Sequence, residues 1–212
     1  MAAAAPEPVQ VAVFAKAPVP GEVKTRLVPL LGPADAAELH ATLVRRAIAT
    51  ARNAGVGPVS LFCMPDTGHP FFAACAAASG VALHAQSGGH LGARMARAFE
   101  HLLAAGPALL VGADCPSLTP SDLREAAAAL AGHDAVFQPA EDGGYVLVGL
   151  SRPAPAIFEG IRWGQAMVMA DTRERLRGAG LRWKEMPERW DVDRPADYRR
   201  LLASGLLAEA PR

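Results

Sequence analysis

Val9-Gln10-Val11-Ala12-Val13-Phe14-Ala15-Lys16-Ala17-Pro18-Val19-Pro20-Gly21-Glu22-Val23-Lys24-Thr25-Arg26-Leu27 is the stretch from which the rest of the chain can be read. Its first part is an apolar run that reads as a buried first strand. A loop carrying Lys16, Lys24 and Arg26 comes next, so positive charge gathers where a central strand of an open α/β sheet ends and ligands bind. Pro18, Pro20 and Gly21 stiffen and turn that loop, presenting the cations. Cations held in this way suit a phosphate or diphosphate; a solvated basic turn is the plainer alternative. The Lys24-Thr25 pair imitates a P-loop, but that motif needs glycine where Val23 and Pro18 stand, which argues against a Walker-type ATPase or kinase.

Composition sets the bounds. The 212 residues suit one α/β domain over 9–212, preceded by a disordered tail at 1–8. Acids and bases balance at 21 each, so no basic excess points to nucleic acid and no polybasic tract points to an anionic membrane. No apolar stretch approaches the ~20 residues of a membrane span, and the opening residues lack a signal peptide's basic start. Cys63, Cys75 and Cys115 are odd in number and scattered, without disulfide or zinc spacing, which fits a reduced cytoplasm.

β-branched runs alternate with Ala/Leu-rich helical patterns, which predicts a three-layer, Rossmann-like α/β fold with a mixed, mostly parallel sheet. The expected strands are 9–15, 58–64, 81–86, 108–113, 134–138, 144–150 and 181–186. The sixth comes too soon after the fifth for a helical crossover, so it should pair antiparallel. A helix is expected over about 33–53, starting at Pro33, and another after Thr119-Pro120-Ser121-Asp122, with Thr119 as N-cap.

Acids fall at the strand ends. Asp114 closes the run Ala108–Ala113 and is either a hard oxygen ligand for Mg²⁺ or Mn²⁺ or the cap of its own loop. Asp142, beside Gly143, Gly144 and Tyr145, either faces a ligand or makes a tight turn. Asp191 and Asp193 alternate on one side of an extended segment, and the plainer reading of Asp193 is the cap of a helix starting at Pro195. Acids at strand ends and a basic first loop form one consistent arrangement, a metal and cations gripping a diphosphate. Arg94 reaches the phosphates or is a solvated helix residue. Tyr145 and Trp163 stack on a base or sugar or belong to the core. Cys115 reads as a packed residue, and most of the six histidines as incidental.

Five motifs occur in order: Phe14–Leu27, Leu91-Gly92-Ala93-Arg94-Met95, Gly112-Ala113-Asp114-Cys115-Pro116-Ser117-Leu118-Thr119, Pro139-Ala140-Glu141-Asp142-Gly143-Gly144-Tyr145 and Asp191-Val192-Asp193-Arg194-Pro195. Together they closely resemble the DUF2064 family of bacterial glycosyltransferase-A-fold proteins, over roughly 9–204. More distantly the chain is similar to 2-phospholactate guanylyltransferase and the molybdenum-cofactor nucleotidyltransferases. The resemblance implies a nucleotide-diphospho-sugar transferase fold, with a divalent Mg or Mn held by Asp114 and Asp193. The implied catalytic residues are Lys24, Arg26 and Asp114. The nucleotide would meet Ala15, Lys16, Pro18, Gly21, Lys24, Arg26, Gly92 and Arg94, and the second substrate Asp142, Gly143, Gly144, Tyr145 and Trp163. The implied partners are a nucleotide or nucleotide sugar and a small-molecule acceptor, with the protein a monomer or homodimer. Two departures stand out: Asp114-Cys115-Pro116 replaces the Asp-x-Asp of sugar transferases, and His90 stands where the family usually has Asp. The expected activity is glycosyl transfer; the alternatives are nucleotidyl transfer to a phosphorylated small molecule and non-catalytic nucleotide binding.

Overall fold

Seven strands form one sheet in the computed structural model, which describes residues 7–207. They are β1 (Gln10–Lys16), β2 (Val59–Met64), β3 (Ala82–Ala85), β4 (Ala108–Gly112), β5 (Ala135–Pro139), β6 (Tyr145–Leu150) and β7 (Trp183–Glu185). The expected strands are recovered within one or two residues at each end. Six of the expected tail residues lie outside the described ones. The helices are α1 (Val28–Leu31), α2 (Pro33–Ala54), α3 (Pro70–Ser79), α4 (Leu91–Leu102), α5 (Pro120–Ala129), α6 (Val168–Gly178) and α7 (Pro195–Ser204). The strand order is β3-β2-β1-β4-β6-β5-β7. All neighbours run parallel except β6, which is antiparallel to both β4 and β5, as its short connection from β5 requires.

The period-2 alternation of β1 builds the layers. Val11, Val13 and Ala15 enter one apolar cluster with Val44 and Ile48 of α2, Phe72 of α3 and Leu123 of α5. Ala12 and Phe14 enter the other, with Met95 and Phe99 of α4 and Met169 and Leu176 of α6. Helices therefore cover both faces, which is why the central strands read as continuous apolar runs.

Three further contacts carry the C-terminal segment to the carboxyl ends of β1 and β4. Val192 and Leu201 pack with Leu27, Leu39 and Leu43 in a third cluster. Deeper, Arg189 makes a two-pronged bond to Asp122 of α5, at 2.6 and 3.2 Å, and Gln138 Nε2 donates to the Pro187 carbonyl at 2.8 Å. Burial opposes ionisation of Asp122, but Arg189 and the Thr119 bonds outweigh it and hold the carboxyl below its ordinary range. With residues 187–189 anchored, the Asp191–Asp193 stretch must cross the mouth of the sheet.

Candidate active site

Lys24 is the pivot of the cleft. It is the one non-glycine residue among those described with a left-handed backbone, φ 49°, a conformation that costs energy and persists only where the surroundings fix it. Its side chain turns inward, so only 9% of the residue is exposed. Nζ donates to the Val192 carbonyl at 2.5 Å and lies 2.5 Å from Asp114 Oδ1. The Val192 N–H in turn donates to the Asp114 carbonyl at 2.9 Å. One lysine thus joins the first loop, the end of β4 and the C-terminal crossing segment. The expectation that the loop presents its cations holds for Lys16 and Arg26, which are exposed, and not for Lys24.

Asp114 divides its carboxylate between two environments. Oδ1 is buried while half of the side chain's surface is exposed, so the other oxygen faces the cleft. Burial disfavours the charged form, yet the Lys24 charge, followed by His40, holds this carboxyl well below the usual range. His40, on α2 and only 5% exposed, places Nε2 3.1 Å from the Lys16 carbonyl and Nδ1 3.6 Å from Asp114 Oδ1. It stands behind the acid and the loop together, far from the incidental role expected of the histidines. Arg26, in turn, is ion-paired with Asp193. Asp193 does not cap α7: Arg194 occupies the N-cap, and the Asp197 carboxylate accepts from the backbone N–H groups of both Asp193 and Arg194.

Two cavities meet here and share Phe14, Arg26, Leu91, Gly112 and Asp193 as a common wall. The first, about 440 Å³, lies over β1, β2 and β4 and is walled by Ala15, Lys16, Lys24, Arg26, Arg94, Asp114 and Asp193, with His40, Met64 and Gln86. The second, about 330 Å³, lies over β4 and β6 and takes in Asp142, Gly144, Tyr145, Trp163 and Asp191. Pro18, Gly21, Gly92 and Gly143 line neither. Gly21 turns the loop at φ 83°. A Cβ on Gly92 would strike Trp163 and the Phe158 carbonyl, and one on Gly143 would strike the Ala166 carbonyl. Asp142 makes the tight turn that was its plainer reading, accepting from the Gly144 N–H at 2.9 Å, and still borders the second cavity. Tyr145 and Trp163 pack edge to face, ring centres 6.3 Å apart, and join the core as well as the cavity. His90 caps α4, its Nδ1 accepting from the Ala93 N–H. Burial pushes the Cys115 thiol up to about 11, which leaves it a packed residue and no nucleophile.

The acids suit a hard cation by chemistry. Among the described residues no three His, Cys, Asp or Glu side chains already converge as a metal-binding group. Yet the carboxyl of Asp191 is raised to about 6, first by burial and then by the charges of Asp142 and Asp114. Carboxylate oxygens thus face one another here, and they are the ligand type of Mg²⁺ and Mn²⁺.

Residues 34–165 match the family described as uncharacterized proteins conserved in bacteria, DUF2064. The chain belongs to that family. Its structure is similar, with TM-score 0.82 and 28% identity over 97% of this chain and 99% of the other, to a candidate nucleotide-diphospho-sugar transferase from Desulfovibrio desulfuricans G20. It also shares its fold with CMP:2-keto-3-deoxy-manno-octonic acid synthetase complexed with CTP, at 14% identity, TM-score 0.59 and coverage of 92% and 98%. A manganese complex of Rv0371c from Mycobacterium tuberculosis H37Rv is alike to a similar degree, at 19% identity, TM-score 0.58 and coverage of 92% and 99%. No functionally curated protein matches the chain. No described helix is long and apolar enough to cross a membrane.

Proposed function

We propose that this DUF2064 member is a transferase that moves a glycosyl unit from a nucleotide-diphospho-sugar to a small acceptor, assisted by a divalent cation. The observation that carries the reading is the pair of cavities meeting at Arg26 and Asp193. The first gathers Lys16, Lys24, Arg26 and Arg94 for the phosphates, with Met64 and Gln86 on the β2–β3 side for the nucleoside. The second, floored by Leu110, Val146 and Val148 and rimmed by Asp142 and Tyr145, receives the sugar and acceptor. The relative from Desulfovibrio, similar over its full length, supports the same donor class.

In this reading the bond between the sugar's anomeric carbon and the phosphate oxygen breaks, and its electron pair leaves with the nucleoside diphosphate. The acceptor oxygen bonds to that carbon and gives up its proton to water. In this role Lys24 and Arg26 meet the leaving oxygen as charge grows on it, so their contribution is greatest at the transition state. Asp114 and Asp193 would hold Mg²⁺ or Mn²⁺, which when bound supplies further charge neutralisation at the diphosphate. The carboxylate donor set and the manganese complex of a protein of this fold support that assignment.

A second reading is favoured by one feature: Cys115-Pro116 comes after Asp114 where a second acid would otherwise stand. This is nucleotidyl transfer from a nucleoside triphosphate with pyrophosphate release. Incubating the protein and Mn²⁺ with a panel of nucleotide sugars and nucleoside triphosphates, each with candidate acceptors, separates the two by product. Nucleoside diphosphate release identifies sugar transfer, and pyrophosphate identifies nucleotidyl transfer.

A further inference from the structure

Both acids assigned to the cation are already neutralised by the chain itself, Asp114 by buried Lys24 and Asp193 by exposed Arg26. We infer that Lys24 and Arg26 are resident counter-ions that exchange partners on ligand binding, passing from the two carboxylates to the phosphates as the carboxylates pass to the divalent cation. The inference rests on the reading of the cleft as a nucleotide site, and it adds that cation and nucleotide each bind poorly without the other.

The reason lies in what each ligand would strand. A cation taken up alone would compete with Lys24 for Asp114. That leaves an ammonium with the Val192 carbonyl as its one remaining partner among the described residues, inside a site where an uncompensated charge is costly. A diphosphate taken up alone would draw Lys24 away from Asp114 Oδ1, leaving a buried carboxylate oxygen with His40 Nδ1, 3.6 Å away, as its remaining neighbour among the described residues, beside incoming negative charge. Taken together, the ligands bring charges of both signs, and every charged group ends with an opposite partner. The left-handed backbone of Lys24 fits this role, because it holds Nζ at the junction of the first loop, Asp114 and Val192. Arg26 belongs to both cavity walls and is exposed, so its transfer between partners costs less.

The test is Mn²⁺ binding to the full chain, monitored by the electron paramagnetic resonance of free Mn²⁺, with and without UDP, GDP, CDP or ADP. For the wild type, the best nucleotide should tighten Mn²⁺ binding at least about tenfold, a coupling of ordinary size between two sites. Lys24→Gln removes the charge but keeps an amide donor. It should bind Mn²⁺ alone more tightly than the wild type, by about tenfold, because the acid is no longer pre-paired, and nucleotide should then improve binding by no more than about twofold. Arg26→Gln, at an exposed position where folding is secure, should shift Mn²⁺ binding in the same direction by about two- to threefold; it decides the matter if Lys24→Gln does not fold. Weaker or unchanged binding of Mn²⁺ alone by the variants, or wild-type binding indifferent to nucleotide, overturns partner exchange while leaving nucleotide binding intact. A wild type that binds none of the nucleotides, with or without Mn²⁺, overturns the transferase reading and this inference with it.

Discussion

Arg26 is exposed and, among the described residues, bonded to Asp193 alone, so its removal separates function from folding. Arg26→Ala should cost less than ~0.5 kcal/mol of stability, as other exposed substitutions do. If it stabilises charge on the departing phosphate, turnover should fall by the equivalent of ~2–4 kcal/mol of barrier. Steady-state donor consumption beside a thermal melt checks both; activity within about twofold of wild type would make the loop a solvated basic turn. Asp191 supplies a pH prediction. Burial, then Asp142 and Asp114, raise its carboxyl from 3.8 to about 6, so the folded state holds this proton more tightly than the unfolded chain. Its contribution to stability is therefore complete below the unfolded value and lost as pH rises through about 6. Without divalent cation, Asp191→Asn should melt with the wild type near pH 4 and several degrees above it at pH 8; a gap that does not widen with pH would contradict this. Lys16, Lys24 and Arg26 were legible in the sequence because charge and loop-forming residues are neighbours in the chain. The inward turn of Lys24 was not, since Asp114 and Val192, which draw it in, come from distant segments. His40 left one signal, an imidazole on the buried face of α2, where Thr50 is the one other polar side chain.

At the scale of elements, the segment bearing Asp191 and Asp193 stands or falls with the bond between Arg189 and Asp122. Arg189→Leu leaves a 4%-exposed carboxylate without its cation, which should cost about 3–5 kcal/mol in denaturant unfolding. Asp122→Asn in the same background should recover part of that loss; a cost under ~1 kcal/mol would mean that the cluster of Leu27, Leu201 and Val192 holds the segment unaided. Gly143→Ala forces a side chain into the Ala166 carbonyl and should displace the 161–167 stretch that roofs the second cavity. Donor hydrolysis should then survive better than transfer to the acceptor; equal loss of both would place the roof's role in the donor half. The strands were readable from period and punctuation, and antiparallel β6 from the shortness of its connection. The Asp122–Arg189 bond was not readable: Asp122 alone satisfies the local pattern of a first-turn acid, and its partner lies 67 residues away.

For the whole molecule, the order of strands places the β1 and β4 carboxyl ends together, and with them the basic loop and Asp114. That convergence is a consequence of α/β topology and was legible in advance. The division of the cleft into two cavities was not, because the shared wall is assembled from β1, the first loop, α4, β4 and the C-terminal crossing segment, which only packing brings together. The most direct test of the central claim is product analysis after incubating purified protein and Mn²⁺ with nucleotide-diphospho-sugars and a mixture of small acceptors, resolved by mass spectrometry. The account predicts a nucleoside diphosphate in step with a glycosylated acceptor, both lost in Asp114→Asn. Unchanged turnover in that variant, or intact nucleotide sugars across the whole panel, would contradict it.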